Sequence, residues 1–118
     1  MNEIGPGIQK PCVADKILAD GDTVSVGEIE LRVMYTPGHT KGSICLICES
    51  ERVIFSGDTL FCRTYGRTDL PGGNYDEMML SLHRLNNLLG DYVIYPGHSI
   101  STTLDKERVW NRRLRKMQ

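Results

Sequence analysis

The sequence predicts an α/β (α+β) domain: a mixed or antiparallel sheet with helices on one face. Two observations set that class. Short apolar or alternating runs, bounded by Gly, Asp and Ser, pair up as hairpins in the first half of the chain. A stretch with apolar residues at helical spacing follows, and a charged helical segment closes the sequence. A third observation concerns function. Three of the strand-like runs stop at a glycine, expose His or Asp, and continue with a hydroxyl residue.

Taken in order, residues 1–15 carry Gly5, Pro6, Gly7 and Pro11 without hydrophobic periodicity and read as a loosely ordered lead-in to a single partial domain over 1–118. Ile17 and Leu18 belong to a short strand, and Asp20-Gly21-Asp22 makes a turn. Residues 23–26 and 28–33 alternate polar with apolar on either side of Gly27. They form a hairpin with Val24, Val26, Ile29, Leu31 and Val33 on one buried face. The second arm runs on through Met34 and Tyr35 into Thr36-Pro37-Gly38-His39-Thr40. Residues 43–48 and 52–56, joined by Glu49-Ser50-Glu51, form a second hairpin that ends in Gly57-Asp58-Thr59. The stretch 59–74, rich in Gly, Arg, Thr and Asp, reads as an irregular loop. Asn74 then caps a helix in capping-box fashion with Glu77. Met78, Leu82, Leu85 and Leu89 form its apolar stripe, and Gly90 closes it. His83 falls off that stripe and reads as a surface residue. Residues 92–95 form a strand entering Pro96-Gly97-His98-Ser99, and 105–117 read as a terminal helix anchored by Val109 and Trp110.

The three strand ends carry the candidate chemistry. Gly lets the backbone turn sharply where a strand stops, and Pro cannot extend a ladder. His39, Asp58 and His98 therefore project from loops at a sheet edge, on a rigid scaffold. One Pro-Gly-His alone is usually a turn with an exposed histidine, and one Gly-Asp-Thr a turn or a helix cap. Three repeats of the same unit in one small domain favour joint use, and imidazole nitrogen with carboxylate oxygen suits zinc and similar divalent ions.

Composition narrows the field. A net charge of -1 over 118 residues gives no global electrostatic case for nucleic acid or for a membrane surface. No apolar run approaches a membrane span, and Met1-Asn2-Glu3 does not open a secretory signal, so a cytoplasmic location is expected. Cys45 and Cys48 have the spacing of a redox or zinc pair, but they lie in a strand, where residues three apart point to opposite faces. With Cys12 and Cys62 they read as small apolar fillers. The basic residues Lys106, Arg108, Arg112, Arg113, Arg115 and Lys116 read as a solvated helix face, with RNA binding a minor alternative.

The ordered set Thr36-Pro37-Gly38-His39-Thr40-x-Gly42-Ser43, Ser56-Gly57-Asp58-Thr59-Leu60-Phe61 and Tyr95-Pro96-Gly97-His98 resembles the metallo-β-lactamase-fold hydrolases. The likeness is to their glyoxalase II (hydroxyacylglutathione hydrolase) branch. Gly66-Arg67-Thr68-Asp69-Leu70-Pro71-Gly72-Gly73 and Thr102-Thr103 are also similar to that branch, so the resemblance runs from Asp20 to Glu107. It implies the C-terminal half of an αββα sandwich. It implies His39 on a first zinc, His98 on a second, and Asp58 bridging the two, with iron or manganese as alternative metals. It further implies hydrolysis of a small-molecule thioester or ester by metal-bound hydroxide. Asp58 would be catalytic by holding both ions and orienting the nucleophile.

The departure from that family is large. Its H-x-H-x-D-H motif is absent, and this chain has three histidines in all, His83 among them. Each ion would keep one histidine and the shared Asp58, too few protein ligands for a tightly held site, so the metal itself could be missing. Half a sandwich would also leave an apolar sheet face bare. The chain is therefore expected to be a piece of a longer protein, completed by the missing N-terminal half, or a self-associating fragment. A non-catalytic remnant or interaction module of the same fold is the competing reading.

Overall fold

The computed structural model describes residues 12–13, 16–17 and 19–117. Most of the expected lead-in, and Leu18, lie outside the described residues. Within that lead-in, however, Cys12–Val13 (β1) pairs antiparallel with Lys16–Ile17 (β2). The main sheet has six strands: Thr23–Val26 (β3), Ile29–Tyr35 (β4), Ile44–Cys48 (β5), Val53–Gly57 (β6), Val93–Pro96 (β9) and Thr102–Thr103 (β10). Leu60–Phe61 (β7) and Thr64–Tyr65 (β8) form a separate small hairpin. The helices are Tyr75–Asn86 (α1), Leu104–Trp110 (α2) and Arg112–Lys116 (α3).

The sheet order is β10-β9-β6-β5-β4-β3, with β6 and β9 parallel and every other pair antiparallel. This is the mixed α/β architecture the sequence predicts. The parallel β6–β9 pair needs a crossover, and α1 lies in that connection, as parallel pairing requires. Strands β4, β6 and β9 consequently run the same way, so their C-terminal ends reach the same sheet edge. That edge carries the three expected ligand loops.

Register decides the two faces. Met34 opposes Cys45, and Ile47, Ile54 and Ile94 align across β5, β6 and β9 on the same side. These residues join Met78, Leu82 and Leu85 of α1, Leu104 of α2 and Leu114 of α3 in one buried cluster. The helices thus cover one face, as expected. The opposite face aligns Val33, Leu46, Phe55 and Tyr95 across the four central strands. Among the described residues no helix covers it, and Phe55 is 43% and Tyr95 47% exposed. The β3–β4 hairpin places Val24, Val26, Ile29, Leu31 and Val33 on this second face in the expected register. Its burial is not as expected: Val33 is fully buried, but Val26 and Ile29 are exposed.

Five local expectations are corrected. The stretch after Thr59 is not wholly irregular, because β7 and β8 pair there; two-residue strands leave no periodic signal. Helix α1 stops at Asn86 with Asn87 as its cap, so Leu89 is 88% exposed and not part of the stripe. Its start has Asn74 as the expected cap, its side chain accepting from Glu77 N at 2.8 Å. The Asn74 N–H, however, donates to Gly38 O at 2.7 Å and not to the Glu77 side chain as a capping box requires. The terminal helix is two helices, broken at Asn111. That residue has an extended φ/ψ and caps α3 through bonds from Arg113 N and Leu114 N. Val109 and Trp110 are more than half exposed, and the buried anchors are Leu104, Glu107, Asn111 and Leu114. Cys45 and Cys48 are buried on β5 and Cys62 is half-buried.

Candidate metal centre

His39, Asp58 and His98 stand beyond the C-terminal ends of β4, β6 and β9, and the fold brings them together. Asp58 lies between the two histidines. Its Oδ1 is 3.0 Å from His98 Nε2, and its Oδ2 is 3.7 Å from His39 Nε2. One carboxylate thus offers a separate oxygen to each imidazole. His83, as expected, is exposed on α1 and takes no part.

The loops are placed by backbone and hydroxyl contacts. In the first, Gly38 sits at φ +146°, and a Cβ there would come within 2.5 Å of the Met78 backbone. Only glycine lets the His39 loop press so closely on α1. Gly38 O accepts from Asn74 N at 2.7 Å, and Pro37 O accepts from Ser81 Oγ at 2.7 Å, so the cap and the middle of α1 hold the loop. Under the site the buried Thr36 and Thr59 hydroxyls bond each other at 2.8 Å, joining the β4 loop to the β6 loop. Gly97 N donates to Gly57 O at 2.8 Å and joins the third. Of the hydroxyl residues that follow the ligands, Thr59 is thus a buried clamp and Thr40 bonds Ser43 at 2.8 Å. Ser99 sits in the left-handed region at φ +88°.

Three further contributors lie in the motifs quoted above, but their contacts with the ligands are visible only in the fold. His39 Nδ1 lies 2.8 Å from Arg67 O. A carbonyl can only accept, so Nδ1 carries a proton, and it is Nε2 that faces Asp58. A bond of this kind from the far ring nitrogen fixes the orientation of an imidazole and is the contact that metal-binding histidines use. Gly66 packs directly against the Asp58 backbone, where a Cβ would meet Asp58 O at 1.9 Å and His39 Cβ at 3.2 Å. Phe61 lays its ring 4.9 Å from that of His98, whose side chain is otherwise 73% exposed. Arg67 spends its side chain on Asp69, with bonds of 2.8 and 3.0 Å. That hydrogen bond holds the exposed Asp69 carboxyl below its ordinary range.

The donor set fits a divalent ion in kind. Two donors sharing a tetrahedral zinc at ordinary bond lengths lie roughly 3.3 Å apart, and the observed 3.0 and 3.7 Å bracket that spacing. In number it supplies only one histidine and one carboxylate oxygen to each ion. Among the described residues, no group of three or more His, Cys, Asp and Glu side chains is arranged to hold an ion.

Comparison with known proteins settles the family. The model of the metallo-beta-lactamase superfamily matches residues 12–98. The chain belongs to that superfamily. Among its relatives, an uncharacterized protein of Aquifex aeolicus is 43% identical over 86% of this chain and 49% of its own length. A hydroxyacylglutathione hydrolase of Bradyrhizobium is 38% identical over 85% of this chain and 39% of its own. The human mitochondrial persulfide dioxygenase ETHE1 is 35% identical over 86% of this chain and 42% of its own. Among solved structures, ETHE1 from Myxococcus xanthus superposes with a TM-score of 0.79 at 34% identity, over 91% of this chain and 49% of that one. The di-iron-bound form of TTHA1623 superposes with a TM-score of 0.74 at 33% identity, over 89% and 51%. The chain thus spans about half the length of these superfamily members, and the described residues account for one sheet and its helices. No helix among them is long and apolar enough to cross a membrane.

Proposed function

We propose that this chain supplies one side of a dinuclear hydrolase centre acting on a small-molecule thioester or ester, as in the glyoxalase II branch. The observation that carries the reading is the split Asp58 carboxylate, with one oxygen toward His98 and the other toward His39. Zinc, or iron as in the di-iron relative, would be held by His39 Nε2 and Asp58 Oδ2 on one side and by His98 Nε2 and Asp58 Oδ1 on the other. When bound, such ions make water a nucleophile near neutral pH and stabilise developing negative charge on an acyl oxygen. Asp58 fixes the spacing of the two positions and orients the attacking water from the sheet edge. His39 keeps its Nε2 lone pair available because Arg67 O holds the proton on Nδ1. Phe61 packs its ring beside His98 and would help seat that imidazole.

Two donors per ion leave each shell open, so hydrolysis requires further ligands from outside the described residues. A chain that folds but holds no metal and cleaves nothing would instead support the remnant of the alternative reading. Oxidation of a persulfide is the other chemistry to weigh, since the persulfide dioxygenase is about as similar as the hydrolase. One experiment separates these readings. The protein is loaded with zinc or with ferrous iron, the metal per chain is counted, and release of thiol from a hydroxyacyl thioester is measured beside oxygen uptake with a persulfide. Thioester cleavage with two ions per chain supports the proposal. Oxygen uptake with a single iron overturns it.

A further inference from the structure

Glu107 lies on α2 with 1% of its surface exposed, the only buried acidic side chain among the described residues. A buried carboxyl group is tolerated only when its oxygens are bonded, and here both are. Oε1 accepts from the Arg63 backbone N–H at 2.7 Å and from Asn111 Nδ2 at 2.9 Å. Oε2 accepts from Thr102 Oγ1 at 2.7 Å. Asn111, also 1% exposed, donates in addition to Thr64 O at 3.2 Å. The chain segment gripped in this way is the turn of the β7–β8 hairpin. Arg63 holds φ +66° there, a conformation that a residue with a Cβ keeps only where its surroundings enforce it.

That hairpin reaches all three candidate ligands. β7 begins directly after Asp58-Thr59, and Phe61 within it packs on His98. Gly66, directly after β8, lies against the Asp58 backbone, and Arg67 O holds His39 Nδ1. We propose that Glu107 is a positioning residue for the centre: by clamping the hairpin turn, it sets the tautomer and orientation of His39 and the seat of His98. It touches neither an ion nor a substrate. An apolar side chain in its place would strand three donors that converge on one buried point. The role in metal binding rests on the dinuclear reading above, whereas the setting of His39 is a property of the metal-free chain.

The test is nitrogen-15 NMR of the histidine side chains in the whole chain, without metal, at mildly alkaline pH. Wild type is expected to show His39 as the Nδ1–H tautomer. Glu107→Ala is expected to lose that signature to a mixture with the Nε2–H form. Glu107→Asp, which keeps the charge but withdraws it by one methylene, should do the same, and it carries the test if the alanine variant does not fold. Glu107→Gln restores the wild-type pattern, because its carbonyl still accepts from Arg63 and its amide donates to Thr102 Oγ1. Leu85→Ala, equally buried on α1, lowers the unfolding midpoint and keeps the signature. In a parallel zinc titration, Glu107→Ala weakens binding by the roughly 10–100-fold typical of an outer-shell change. The proposal is overturned if Glu107→Ala and Glu107→Asp leave the His39 signature intact while the midpoint falls. It is equally overturned if Leu85→Ala erases the signature. Absence of zinc binding in wild type would sink the dinuclear reading, while the histidine spectra would still decide the role of Glu107.

Discussion

Asp58 meets two histidines through different oxygens, so its loss differs in kind from the loss of either one. On the dinuclear proposal, removing His39 or His98 would strip one metal position, and removing Asp58 would strip both. Asp58→Ala should weaken zinc binding by more than the roughly 10–100-fold of an outer-shell change, whereas His83→Ala on the surface of α1 leaves it unchanged. Competition against a chromogenic chelator measures both. Cys45 gives a second prediction at this scale. Its thiol is buried behind the site, and burial pushes its pKa from 9.0 up to about 11, against the opposing hydrogen bond with Thr36. The folded state therefore holds this proton at pH values where the unfolded chain has released it. The associated stability is complete below about pH 9 and is lost as pH rises toward about 11. Its size is at most roughly 2–3 kcal/mol at 1.36 kcal/mol per unit. Urea titrations across that window should show a shallower alkaline loss in Cys45→Ala than in wild type.

Single elements matter here through their close approaches. The β7–β8 hairpin can lie against Asp58 only because residue 66 has no Cβ, since one would sit 1.9 Å from Asp58 O. Gly66→Ala should therefore destabilise the fold by about 1–3 kcal/mol, the range of forced overpacking, and weaken zinc binding as the hairpin backs away. Denaturant unfolding with a zinc titration on the same variant checks both effects. Helix α1 makes the same point from the opposite side. The stripe Met78, Leu82 and Leu85 was legible from spacing alone and is fully buried. Leu89 continues that spacing yet stands in solvent, because the chain leaves the helix at Asn87. The terminal segment was misread for a related reason. Asn111 offers more hydrogen bonds to Thr64, Glu107 and the start of α3 than a continuous helix would allow it, so the helix breaks there.

Among the described residues, the six-stranded sheet carries its helices on one side. Val26, Ile29, Tyr35, Phe55, Val93 and Tyr95 lie exposed on the other side or at its rim. Phe55 and Tyr95 stack on each other at 5.9 Å and form the centre of that bare face. An apolar surface of this breadth does not stay in water when a second one is available. The 118-residue chain on its own is therefore expected to pair face to face with a second copy. Light scattering after size-exclusion chromatography should give a mass above the 13.3 kDa monomer. Phe55→Lys, which puts a charge at the centre of the contact, should return it toward the monomer. A well-behaved wild-type monomer across the accessible concentration range would refute the pairing.

The sequence by itself determined the mixed α/β class, the two hairpins, the start of α1 and the identity of the three strand-end groups. Each of these is written locally, in a period of two or 3.6 residues or in a glycine that ends a run. Only the tertiary structure decided that β4, β6 and β9 point the same way, so that His39, Asp58 and His98 share one edge. It alone revealed that Arg67 lends a carbonyl to His39, that Gly66 makes room for Asp58, and that a buried glutamate more than forty residues away in the chain grips the hairpin between them. Backbone carbonyls and close approaches have no residue type of their own. Their effect depends on which segments strand order and crossover bring together, and that is a property of the folded whole.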